Sequence, residues 1–188
     1  MPSDMNFSTC ALPGLVVIEP RVFEDSRGYF YEAYNEAVFA AQGIANRFVQ
    51  DNQSQSTYGV IRGLHFQRPP HAQAKLIRVM EGTILDVVVD IRPDSPTFGQ
   101  HFSLELSAAN RRQLFIPAGF AHGFSVLSPT AAILYKCDHL YNKESEGGIR
   151  YNDPSLAIDW KVNVAEATVS ERDAQLPLFS DLRATFTA

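Results

Sequence analysis

Apolar and β-branched residues recur in short runs along the chain: GLVVIEP, GYFYEAYN, RFVQDNQS, GVIRGLHFQ, AKLIRVME, TILDVVVDIR, HFSLELS, QLFIPAG, HGFSVLS and AAILYKCDHLYN. Turn-forming clusters separate them, among them EDSRG, EGT, RPDSPTFG, SAANRR and PAGFAHG. Short strands at close, regular spacing predict an antiparallel sandwich or barrel, an all-β fold with short peripheral helices. Helical patterning is confined to two places. Asn35 to Gly43 reads as a short helix capped by Asn35 and ended by Gly43, and VSERDAQ as a helical turn capped by Ser170. No repeat, low-complexity tract or composition break interrupts the pattern. The expectation is a single β domain over residues 1–188, with 1–13 as an N-terminal extension.

Some residues do not suit a strand packed into a bland core. Strict alternation puts His65 on the same face as Ile61 and Gln67, and groups Tyr135, Cys137, His139 and Tyr141 on one face of a later strand. Polar groups on the inward face of a small barrel must be hydrogen-bonded or meet a ligand, so a polar lumen predicts a pocket. Each residue also has an ordinary reading. His65 alone fits a satisfied core or surface histidine, Lys75 in QAKLIRV a strand-edge lysine, and Arg62 an exposed strand residue. The alternatives are a lysine facing an anion and an arginine placed as a phosphate clamp.

Composition narrows the classes. The 188 residues are 45% hydrophobic and 20% charged, which suits a globular core. With 16 basic and 21 acidic residues the formal charge is -5, and no Lys/Arg cluster occurs, so nucleic acid is not an expected partner. The opening MPSDMNFSTCALPG lacks the charge and apolar run of a signal peptide, and no run approaches membrane-spanning length, so a cytoplasmic protein without a membrane partner is expected. Cys10 and Cys137 are too few and too separated for a disulfide framework or a thiolate zinc site.

The segment PAGFAHGF, a Pro-x-Gly-x-x-His turn feeding a strand, resembles the second signature segment of cupin jelly-roll barrels. In metal-binding cupins the first segment supplies a His-x-His pair. Here GLHFQ offers His65 with Gln67 at the partner position, and His71 follows only after Pro69 and Pro70. Catalytic zinc or iron needs about three protein ligands, so a metal-free cupin is expected.

Longer segments sharpen the resemblance: DSRGYFYE (25–32), FVQDNQS (48–54), GVIRGLHFQ (59–67), QAKLIRVMEG (73–82), VVVDIRPDSPTFG (87–99), RQLFIPAGFAHGF (112–124), LYKCDHLY (134–141), NDPSLAIDW (152–160) and VSERD (169–173). In order and spacing they resemble the dTDP-4-dehydrorhamnose 3,5-epimerase family. That resemblance implies epimerisation of a dTDP-4-keto-6-deoxyhexose at C3 and C5, the carbons flanking a ketone, without a redox cofactor. It implies His65 as base, Asp173 as the carboxylate behind it, Lys75 as the cation beside the ketone oxygen and Tyr135 as the acid on the opposite face. It implies Arg62 and Tyr141 at the pyrophosphate, Gln50 and Asn52 at the sugar nucleotide, and His122 near the sugar. Glu146 and Arg172 match further binding positions, Arg172 standing where the family commonly has lysine. Arg27, Phe30 and Glu32 match positions that reach the neighbouring subunit's nucleotide, which implies a homodimer formed by N-terminal strand exchange. Three other readings stand beside it: a metal-dependent cupin, a cupin that binds a nucleotide sugar without turning it over, and a single-site epimerase of another deoxysugar.

Overall fold

The computed structural model describes residues 5–186. Its strands are β1 (Met5–Thr9), β2 (Val16–Pro20), β3 (Phe23–Asp25), β4 (Gly28–Phe30), β5 (Gln50–Thr57), β6 (Ile61–Gln67), β7 (Lys75–Glu81), β8 (Thr83–Asp90), β9 (His101–Ser107), β10 (Gln113–Ile116), β11 (Phe120–Val126), β12 (Thr130–Cys137) and β13 (Glu146–Gly148). The helices are short: α1 (Glu36–Ala41), α2 (Glu171–Ala174) and α3 (Phe179–Phe186). Sheet I runs in the order β1-β2-β10-β7-β12-β5 and sheet II in the order β13-β6-β11-β8-β9, while β3 and β4 form a separate hairpin. All ladders between these strands are antiparallel. This is a jelly-roll barrel of the cupin type.

Burial explains the layering. Along β8, Ile84 and Val88 point between the sheets to meet Ile77, Val79, Leu114 and Ile133 of sheet I. The alternate residues Leu85, Val87 and Val89 face the other way, into a second cluster with Trp160, Leu156 and Phe179. A strand covered on both faces reads as an unbroken apolar run, which is why TILDVVVD shows little alternation. The outer layer over sheet II is the chain beyond residue 149, tied down where Ser125 Oγ donates to the Trp160 carbonyl at 2.6 Å and Trp160 Nε1 donates to the Tyr151 carbonyl at 2.8 Å. That belt carries α2 to the mouth of the barrel. Over sheet I, Phe39 of α1 packs with Ile18, Leu76 and Phe115.

The caps follow the sequence. Asn35 Oδ1 accepts from the Ala37 and Val38 amides at the start of α1, and Gly43 takes φ +84° just beyond its end. Ser170 Oγ accepts from the Asp173 amide at 3.1 Å. Two readings change. The GYFYEAYN run contributes only the three-residue β4, and β12 ends at Cys137, so His139 and Tyr141 lie beyond the strand. Asp138 terminates it by accepting from the Ala74 amide at 2.7 Å and from Asn46 Nδ2 at 2.8 Å. The extension contains β1, which pairs along β2 from Met5↔Pro20 to Thr9↔Val16. No helix among the described residues is long and apolar enough to cross a membrane.

Candidate active site

The site begins with an irregularity in β6. In its ladder with β11, His122 stands opposite His65 but Phe124 opposite Arg62, so β6 carries an extra residue across that step, a β-bulge. Gly63 makes it possible. Its φ is +125°, and a Cβ there would lie 2.5 Å from Gly123 Cα, a separation that only glycine permits. The bulge corrects the face assignment drawn from strict alternation. Ile61 joins Leu64 and Phe66 in the outer cluster, while Arg62 and His65 both line the space between the sheets.

That space is a cavity of about 540 Å³. Arg62, His65, His122 and Asp173 line it from sheet II and α2, and Lys75 and Tyr135 from sheet I. An adjoining recess of about 180 Å³ shares His65, Lys75 and Tyr135 and adds Gln50, Asn52, Tyr141 and Glu146. The inner face of β5 is polar because Gln50, Asn52, Ser54 and Ser56 alternate with the exposed Asp51, Gln53, Gln55 and Thr57.

His65 Nε2 lies 2.6 Å from Asp173 Oδ1, and the Gly63 amide donates to Asp173 Oδ2 at 3.0 Å. Asp173 is 4% exposed, so it is no helix-surface aspartate. Burial pushes its carboxyl up, yet the bonds from His65 and Gly63 outweigh burial and hold it below its ordinary value. It is therefore ionised at neutral pH. With Nε2 engaged, Nδ1 is the ring nitrogen of His65 left for a ligand. Across the cavity, Lys75 Nζ stands 5.8 Å from the centroid of the Tyr135 ring. Burial lowers the Lys75 ammonium from its ordinary value, opposed by negative charge on Asp86 and Glu146. Burial raises the Tyr135 phenol, which keeps its proton at neutral pH.

Arg62 Nε donates to Ser56 Oγ at 3.0 Å. Tyr141 is held although it is off the strand. Its amide donates to Gln50 Oε1 at 2.9 Å and its hydroxyl to Glu146 Oε2 at 2.8 Å, while Arg172 pairs with Glu146 Oε1 at 2.5 Å. Gln50 Nε2 in turn donates to Asn52 Oδ1 at 3.0 Å. His139 is exposed and stays outside the cavity. His71 is occupied elsewhere, with Nδ1 2.8 Å from Ser145 Oγ. Among the described residues no group of three or more His, Cys, Asp or Glu is placed to hold a metal ion.

Arg27 and Phe30 are not brought to this cavity. They line a hollow on the β3–β4 hairpin, where Phe30 is 70% exposed, and Glu32 is exposed close by. The sequence reading missed Asp86, which lies behind His122 with Oδ2 2.8 Å from His122 Nε2. Its one signal was a carboxylate inside the apolar run TILDVVVD.

Known proteins share this architecture. The family model for dTDP-4-dehydrorhamnose 3,5-epimerase matches residues 9–181. A dTDP-4-dehydrorhamnose 3,5-epimerase of Methanothermobacter thermautotrophicus is 48% identical over 172 residues, covering 91% of this chain and 92% of that protein. The crystal structure of such an epimerase from Elizabethkingia anophelis superposes with a TM-score of 0.91 at 53% identity, covering 95% of this chain and 98% of that one. The crystal structure of a dTDP-6-deoxy-D-glucose-3,5-epimerase from Legionella pneumophila, in complex with dTDP-4-keto-L-rhamnose, superposes at 0.92 with 46% identity, covering 97% of this chain and 96% of that one. Matches of this extent, on a jelly roll whose cavity gathers a buried His–Asp pair, a lysine and a tyrosine, mean that the chain belongs to the dTDP-4-dehydrorhamnose 3,5-epimerase family.

Proposed function

We propose that this protein is an isomerase that inverts C3 and C5 of dTDP-4-dehydro-6-deoxy-D-glucose to give dTDP-4-dehydro-L-rhamnose, in dTDP-L-rhamnose biosynthesis in the cytoplasm. The observation that carries the reading is the division of labour between the cavity walls. The His65–Asp173 pair stands on sheet II and α2, and Lys75 with Tyr135 stands on sheet I. Inversion at carbon needs a base on one face of the sugar and an acid on the other.

The C4 ketone acidifies the hydrogens on both neighbouring carbons. His65 Nδ1 takes the C–H proton, the electron pair moves into the C–C bond, and the carbonyl oxygen becomes an enolate. Lys75 stabilises that oxyanion, and the cavity limits competing solvation. Asp173 stabilises the imidazolium and holds the ring in place, as carboxylates do behind catalytic histidines. Tyr135 then donates its proton to the carbon from the opposite face, which inverts the centre. Return of protons between tyrosine, histidine and solvent readies the site for the second carbon. The chemistry requires no change of oxidation state.

Arg62 and Tyr141 hold the pyrophosphate, Gln50 and Asn52 contact the sugar nucleotide, and His122 lines the sugar subsite. Glu146 and Arg172 bound the same opening. Arg27, Phe30 and Glu32 act on the site of a second subunit in a homodimer, consistent with their exposure on and just beyond the β3–β4 hairpin.

NMR with dTDP-4-dehydro-6-deoxy-D-glucose in deuterated water tests the reading. Deuterium entering at both C3 and C5, with a product that a 4-ketoreductase converts to dTDP-L-rhamnose, is the expected result. Exchange at one carbon would assign a single-site epimerase. Binding without exchange at either would leave a nucleotide-sugar-binding protein.

A further inference from the structure

Asp86 is fully buried in the middle of β8, among apolar neighbours where an ionised carboxylate is costly without compensation. Oδ2 lies 2.8 Å from His122 Nε2, and Oδ1 has no hydrogen-bond partner. His122 stands opposite His65 in the β11–β6 ladder, and its ring lines the cavity. We propose that Asp86 is a positioning residue of this site, fixing the ring of His122 and its tautomer so that Nδ1 is presented to the substrate. The inference rests on the epimerase reading and assigns a role to a residue that never touches the sugar.

The tautomer follows from the contact. A carboxylate accepts and cannot donate, so the His122 nitrogen facing Asp86 carries the hydrogen. In the neutral ring Nδ1 is then an acceptor, and it is the nitrogen left for the cavity. A sugar hydroxyl is the group it takes.

The test is Asp86→Ala beside Asp86→Asn, assayed for KM and kcat with dTDP-4-dehydro-6-deoxy-D-glucose. Alanine frees the His122 ring, so KM rises several-fold, and asparagine, whose Oδ1 still accepts from Nε2–H, restores most of it. A purely structural role would lower stability without this pattern of loss and rescue. A folded Asp86→Ala variant with wild-type KM and kcat overturns the proposal. Should the variant not fold, the nitrogen resonances of wild-type His122 decide: the Nε2–H tautomer is expected, and the Nδ1–H tautomer overturns the assignment. Wild-type protein inert toward the sugar nucleotide would sink the epimerase reading instead, and the tautomer measurement would still judge the Asp86–His122 contact.

Discussion

His65 and Tyr135 divide the proposed reaction between them, and their variants should fail in different ways. His65→Ala removes the base, a side chain that is 31% exposed, so little packing is lost. Its kcat should drop by roughly 10²- to 10⁴-fold, the usual worth of a positioned base, with the circular dichroism spectrum and melting temperature close to wild type. A folded variant with wild-type turnover would remove His65 from the mechanism. Tyr135→Phe keeps the ring beside Lys75 and deletes only the hydroxyl. In deuterated water it should still lose the substrate C–H proton to solvent exchange while forming little inverted product. Normal epimerisation of both carbons by that variant would show that the phenol is not the acid.

At the scale of elements, one irregularity shapes the site and one loop stabilises the fold around it. The bulge at Gly63 turns Arg62 to the same side as His65 and aims an amide at Asp173. At the far end of β8, Asp90 stitches the following loop together. Oδ1 accepts from the Arg92 amide at 3.0 Å and from Arg92 Nε at 2.9 Å, and Oδ2 accepts from Ser95 Oγ at 2.5 Å and Thr97 Oγ1 at 2.6 Å. Burial alone would raise this carboxyl, but these bonds hold it at about 2. A depressed carboxyl adds stability above its unfolded value and loses it as the pH falls through the folded one. The difference corresponds to about 2 kcal/mol, present at neutral pH and fading between about pH 4 and 2. Asp90→Asn should therefore destabilise the protein by about 3 kcal/mol in urea at pH 7, since it also strands Arg92. The gap to wild type should narrow as the pH approaches 2. A gap that stayed constant with pH would mean that the ionised form of Asp90 contributes nothing special.

The whole molecule poses the question of its partner. The β3–β4 hairpin projects Phe23, Tyr29 and Phe30 at 44%, 61% and 70% exposure, a concentration of aromatic surface that a second subunit would cover. If Arg27 serves the partner's cavity, a chain lacking Arg27 and a chain lacking His65 should complement each other. Mixing Arg27→Ala with His65→Ala after subunit exchange should restore about a quarter of wild-type activity, since half the dimers are mixed and each has one intact site of two. Each variant alone would stay low at limiting substrate. Failure of the mixture to gain activity, with exchange verified by mass, would confine Arg27 to its own subunit.

Short alternating runs and their turn residues determined by themselves that the chain is all-β, because strand period and turn chemistry are local properties. The two caps were legible for the same reason: Asn35 and Ser170 satisfy amides two or three residues away. His65 and Lys75 stood out as polar residues in apolar runs, and the family motifs named their companions. Only the tertiary structure decided which of them meet. Asp173 lies 108 positions from His65, and the belt that brings it there packs on the outer face of sheet II through contacts no local pattern encodes. The faces of β6 were misread by alternation because a bulge depends on how closely Gly63 and Gly123 approach across the ladder. Asp86 stayed hidden because its significance lies in what it faces, His122 at 36 positions' distance, rather than in the apolar run that contains it.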